Sequence, residues 1–224
     1  AAIRDKIQLQ MTRLKWAWEN NTGGSGYWQG DYQNNHHQMR IAGMLFGAIA
    51  IMGETDDDSA ILDLYDFVEQ DLKTMVEWLG TDGDSDESPQ YLVYGYEQVI
   101  KALTAYEGIS GIDLFGKDSI KNIGNFKAYT YIPGFKDLAP WGDYSGGNYY
   151  FNNCFFKIAS KNKDAQLQQL AAHLIHLQVG AVVQALGGHY HADAVLHAAV
   201  DAPQSPVQHV DAPKAEGFDD DALV

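Results

Sequence analysis

Along the first 180 residues, apolar side chains recur about every three to four positions, interrupted by polar runs rich in Gly, Asp and Asn. That period belongs to α-helices with one buried face. Residues 4–20, with Ile7, Leu9, Met11, Leu14, Trp16 and Trp18, predict a helix with an aromatic end. Residues 20–30 predict a Gly-rich loop carrying Tyr27 and Trp28. The stretch 39–52 is mostly apolar and reads as a buried helix, too short to cross a bilayer. Asp56, Asp57, Asp58 and Ser59 open an amphipathic helix reaching Leu79, with acids favourably placed near its positive end. A second polar loop, 81–89, precedes a helix over 90–106, and more helices are expected over 119–129, 149–159 and 165–177.

Beyond about Gly180 the pattern changes, as Lys and Arg nearly vanish and Ala, Val and His rise. A turn at 187–193 precedes a predicted strand over 194–200, and the Pro-bearing tail after Asp201 reads as loop or disorder. The expected organisation is thus a helical domain over 1–180 and a separate segment over 181–224. Helix following helix fits hairpins stacked into a ring, or a simpler bundle.

Charge narrows the partners. The net charge is −15 and only three residues are Arg, which argues against nucleic acid, since phosphate binding needs clustered cations. The same excess fits a polyanionic substrate only if the cleft is locally basic or neutral. Cys154 is the single cysteine, so no intramolecular disulfide framework exists. No run is long and apolar enough for membrane insertion, and no leader pattern opens the chain, which reads as intracellular or already processed. Thirteen Tyr and five Trp supply rings suited either to core packing or to sugar contacts.

Two short runs carry the candidate chemistry: Asn34-Asn35-His36-His37, and Tyr91, 55 positions after His36. An amide, an imidazole and a phenol in one cleft could bind a carboxylate, remove a carbon-bound proton and protonate a leaving oxygen. Taken alone, the first run also reads as a helix N-cap and Tyr91 as an anchored core tyrosine. Helical offsets of three and five keep Tyr91, Tyr94 and Tyr96 from sharing one face. Asp82, Asp84 and Asp86 begin like a calcium loop, but Glu87 stands where Gly is needed and Val93 where Glu is needed. His173 and His176 lie at a spacing compatible with metal binding, and on a strand His189, His191 and Asp193 would share one face.

In order, four blocks resemble the heparinase II/III-like polysaccharide lyases and their relative, dermatan sulfate epimerase. Asp31-Tyr-Gln-Asn-Asn-His-His37 is similar to the family's Asn-His block, and Thr81-Asp-Gly-Asp-Ser-Asp-Glu-Ser-Pro-Gln-Tyr91 to its Asp-Gly…Glu-Gly-x-x-Tyr block. Ile132-Pro-Gly-Phe135 with Trp141-Gly-Asp143 is similar to a Pro-Gly-Phe…Gly-Asp-Ser segment, and Gly188-His-Tyr-His-Ala-Asp193 to a sandwich-opening turn. Ser88 replaces a usual Gly, and Tyr144 stands where Ser is common.

The resemblance implies a mainly α fold: an incomplete (α/α) toroid of helical hairpins, followed by the start of an apparently truncated antiparallel β-sandwich. It implies a secreted or periplasmic enzyme cleaving a uronic-acid polysaccharide by β-elimination. Asn35 and His189 would hold the uronate carboxylate, while His36 and Tyr91 move protons at C5 and O4. Trp28, Glu87, Tyr94 and Trp141 are the expected substrate contacts, and His191 the expected ligand of a structural zinc. Two alternatives remain: a C5-epimerase using the same site, and a non-catalytic carbohydrate-binding helical module.

Overall fold

A computed structural model of the chain describes residues 2–20, 28–54, 57–133, 137–142 and 154–185, with 177–185 described as backbone. Contacts divide the chain into a unit of Ala1–Tyr190 and a second of His191–Val224; the second lies outside the described residues. The first unit is mainly helical. Its elements are α1 (Ala2–Asn20), α2 (Asn35–Ile51), α3 (Ser59–Trp78), α4 (Pro89–Ser110), α5 (Asp118–Lys121), α6 (Ile123–Tyr129), α7 (Cys154–Asn162) and α8 (Ala165–Ala185). Among the described residues the only β pairing is an isolated antiparallel bridge between Tyr131 and Leu138. The predicted strand over 194–200 and the sandwich-opening turn lie outside the described residues. No helix among them is long and apolar enough to cross a membrane.

The centre of the unit is α2, which packs against α1, α3 and α4. Ile41, Met44, Leu45 and Ala48 are fully buried at helical spacing, and α3 answers with Leu64, Val68, Leu72 and Met75. Each of these side chains other than Ala48 contributes roughly 1.5–3 kcal/mol on leaving water. A buried polar clasp ties the same two helices. His37 Nε2 lies 2.6 Å from Asp71 Oδ2, and His37 Nδ1 lies 2.8 Å from the Trp28 carbonyl oxygen. Toward a carbonyl oxygen Nδ1 can only donate, which leaves Nε2 to face the Asp71 carboxyl group. Losing one partner of such a buried pair typically costs about 3–5 kcal/mol.

Close approach of α4 to α2 depends on Gly95. A Cβ there would collide with Gln38 Oε1 and crowd Asn35 Cα. Gln38 is held in place by its own donations to the carbonyls of Tyr32 and Gln33, at 3.1 and 3.3 Å. The loop before α4 is pinned equally firmly. Gly83 takes a positive φ of 76° against the backbone of Asn122 and Ile123, where no side chain fits. Asn122 Nδ2 donates to Thr81 O at 2.7 Å, and the Tyr96 hydroxyl donates to Asp84 O at 2.9 Å.

Element boundaries differ from the expected ones in several places; α4 runs on to Ser110 and α7 to Asn162. α2 begins at Asn35 rather than near 39, because Asn34 caps it through a 2.9 Å bond from the His36 N–H. The helix expected over 119–129 is split at Asn122, whose amide is drawn to the 80–88 loop. α8 continues to Ala185, since the run from 178 to 185 holds no proline and the first Gly pair comes at 187–188.

Candidate active site

Two adjoining cavities open where the N-terminal ends of α2 and α4 meet, with volumes of about 750 and 450 Å³. Asn35, His36 and Tyr91 line both, which places them at the junction. The larger cavity runs along the helix faces, past Met39 on α2 and Gln90, Val93, Tyr94 and Glu97 on α4. The smaller extends toward the preceding loop, past Asn34, Asp86, Glu87, Ser88 and Gly142.

Helix starts hold the three junction residues. Asn35 and His36 are the first two residues of α2, behind the Asn34 cap. Tyr91 sits in the first turn of α4, behind Ser88, whose Oγ accepts from the Tyr91 N–H at 3.2 Å, with Pro89 at the first helical position. The capping reading of the Asn run is therefore correct as far as it goes, and capping is what aims Asn35 and His36 into the cleft. The reading of Tyr91 as a core residue does not describe it: Tyr91 is only half-buried and lines both cavities.

Asn35 is clamped by Glu87 from the neighbouring loop. The carboxylate accepts from the Asn35 backbone N–H at 3.0 Å and from Nδ2 at 2.8 and 3.0 Å to its two oxygens. It thereby satisfies one of the free N–H groups at the start of α2, where the helix dipole favours a negative charge. One Nδ2 hydrogen facing both oxygens leaves the other available to a ligand. Burial raises the Glu87 pKa above the usual carboxylate range, and the Asn35 hydrogen bonds and nearby His36 only partly offset it. A neighbouring contact, from Asp86 N to Gln33 Oε1 at 2.6 Å, binds the loop to the α2 entry.

Of the expected substrate contacts, Glu87 and Tyr94 line the cavities. The Tyr94 ring meets Tyr91 edge-on, with centroids 6.2 Å apart. Tyr96 turns into the core, as its offset from Tyr91 requires. Trp141 is partly exposed, and Gly142 beside it packs on Ser88 at the rim. Trp28 requires a correction. It is 1% exposed, beneath the Arg40 guanidinium and edge-on to His37, so its ring belongs to the core and is not presented to a sugar. The indole is apolar enough, and close enough to α2, for burial to prevail over exposure in a polar loop.

His189, His191 and the Asp143–Tyr144 pair lie outside the described residues. Among the described residues no group of three or more His, Cys, Asp or Glu side chains is placed to hold a metal ion. Met39, Gln90, Val93 and Glu97 also line the cleft. Helical periodicity carried the signal, since Met39 follows His36 by three and Tyr94 and Glu97 follow Tyr91 by three and six.

No family model matches the chain, and no curated protein matches it.

Proposed function

We propose that the chain is a polysaccharide lyase cleaving a uronic-acid-containing polysaccharide by β-elimination. The observation that supports this reading best is the meeting of Asn35, His36 and Tyr91 at the junction of two cavities, although they come from separate helices. The C5 proton of a uronate is acidic only when the charge developing on its carboxylate is offset. Asn35 supplies that offset through its remaining amide hydrogen, oriented in advance by Glu87. His36 takes the C5 proton, imidazole being the side chain most often used as a general base. Tyr91 gives its phenolic proton to the O4 leaving oxygen. The electrons of the C5–H bond form the C4–C5 double bond as the C4–O4 bond breaks, so atoms and charges balance.

In this reading the helical unit is part of an incomplete (α/α) toroid. Contacts between successive helices (α1 with α2, α2 with α3, α7 with α8) are those expected of stacked hairpins, and contacts of α4 with α2 and α7 carry the stack onward.

The test is absorbance of the unsaturated uronate across a panel of uronic-acid polysaccharides. His36→Ala and Tyr91→Phe should each reduce the rate at least ~100-fold, the upper part of a single proton-transfer contribution being ~10⁴. Circular dichroism should show both still folded. Full activity in both variants would sink the site assignment. Deuterium exchange at C5 without absorbance would turn the reading to an epimerase.

A further inference from the structure

We propose that the substrate is an unsulfated chain in which each uronate is flanked by uncharged sugars, rather than a sulfated chain or a run of consecutive uronates. This rests on the lyase reading of the same site and specifies what that site accepts.

The polar character of the cleft changes along its length. At the junction stand the amide of Asn35, held by the Glu87 carboxylate, the imidazole of His36 and the phenol of Tyr91. Away from the junction the groups are acidic or apolar. The smaller cavity is lined by Asp86 and Glu87, and the larger by Met39, Val93, Tyr94 and then Glu97. Glu97 follows Tyr91 by six positions on α4, or about 9 Å along a helix axis. A second or third anionic group on the substrate would therefore meet Asp86 and Glu87 on one side, and on the other Glu97, whose charge Lys101 only partly offsets at a solvent-exposed pair.

Among the described residues no Lys or Arg side chain lines these cavities, and the cations near them are held by protein partners. Lys101 pairs with Glu97 at 2.6 Å, the Arg40 guanidinium covers Trp28, and Lys127 is buried against Pro89 O. Recognition of sulfate normally uses charge-assisted donors such as Arg and Lys. What the larger cavity offers instead is ring and methyl surface, in Tyr91, Tyr94, Met39 and Val93, suited to the apolar faces of uncharged pyranoses. Low linear charge on the substrate also answers the difficulty posed by a net charge of −15.

The experiment compares initial rates of absorbance increase on hyaluronan (unsulfated, uronate alternating with an uncharged sugar), chondroitin 4-sulfate and polymannuronate at one ionic strength. The expected result is a kcat/KM on hyaluronan at least tenfold above the other two. The Glu97→Gln variant should narrow that ratio by raising the rates on the two more highly charged polymers. Equal or faster cleavage of chondroitin 4-sulfate or polymannuronate, or a ratio unmoved in Glu97→Gln, overturns the proposal while leaving the lyase reading standing. Absence of product from all three polymers overturns the proposal, and absence from the whole panel of uronic-acid polysaccharides removes the lyase reading as well.

Discussion

At the scale of single residues, the most consequential contact is the grip of Glu87 on Asn35. Glu87 stood out as a substrate contact, yet its carboxylate engages the start of α2 through three hydrogen bonds. Replacing it with Gln keeps one acceptor oxygen and removes the charge. Under the lyase reading, Glu87→Gln should lower kcat about tenfold, since a partner of this kind orients a reacting group. Its pH signature has a definite sign. Burial raises the folded pKa above the unfolded value, so the folded state holds the proton more tightly. The resulting stability is fully present below the ordinary Glu range, about 4.3, and is lost as pH rises through the folded value. Melting curves from about pH 4 to 7 should show the wild type falling relative to Glu87→Gln, and a constant difference would refute the assignment. Residue roles were legible in sequence where helical period fixed direction, as for Tyr91, Tyr94 and Tyr96. They were not where tertiary packing decided, and Trp28 shows why: nothing in a Gly-rich loop reveals that Arg40 and His37 close over its indole.

At the scale of elements, the start of α4 carries the organisation of the site. Ser88 caps it, Gly95 lets it approach α2, and Lys127 from α6 donates to Pro89 O at 2.9 Å. The lysine is fully buried with its Nζ over the Tyr131 ring, and burial pushes its pKa down to about 7. An unfolded lysine titrates near ~10.4. Between those values the folded chain holds fewer protons than the unfolded one, so stability should rise with pH from about 7 to about 10, at a slope of at most about 1.4 kcal/mol per unit. Below about 7 the cost of burying the charge is fully present. Lys127→Met fills similar volume without that charge and should remove this rise. Urea midpoints of both proteins at about pH 6, 8 and 9.5 test it, and identical pH dependence in the two would overturn the account. The helices themselves were legible from hydrophobic period, because each buries one face. Their ends were less so, because a cap such as Asn34 or a break such as Asn122 is set by a single side-chain bond that periodicity does not register.

At the scale of the whole molecule, the charge of −15 was plain in the sequence, but its distribution was not, since Asp86, Glu87 and Glu97 reach the cleft from different segments. The sequence required a cleft that is neutral or basic if the substrate is anionic; at the junction the Asn35 amide already holds the Glu87 carboxylate, and Asp86 and Glu97 stand on the flanks. An enzyme with a basic cleft draws in polyanions by long-range attraction, and added salt slows capture. Here the long-range field has the opposite sign, so salt should help. The Debye length shortens from about 30 Å at 0.01 M to about 8 Å at 0.15 M, which screens the approach while leaving contacts inside the cleft nearly untouched. Under the lyase reading, kcat/KM on a uronate polymer should therefore rise several-fold between roughly 10 and 150 mM NaCl, with kcat nearly constant. The effect should be larger for the more highly charged polymer, because each additional anionic sugar adds to the repulsion that salt removes. A rate that falls steadily across that range would show that attraction governs capture, and would place a basic surface along the substrate's path.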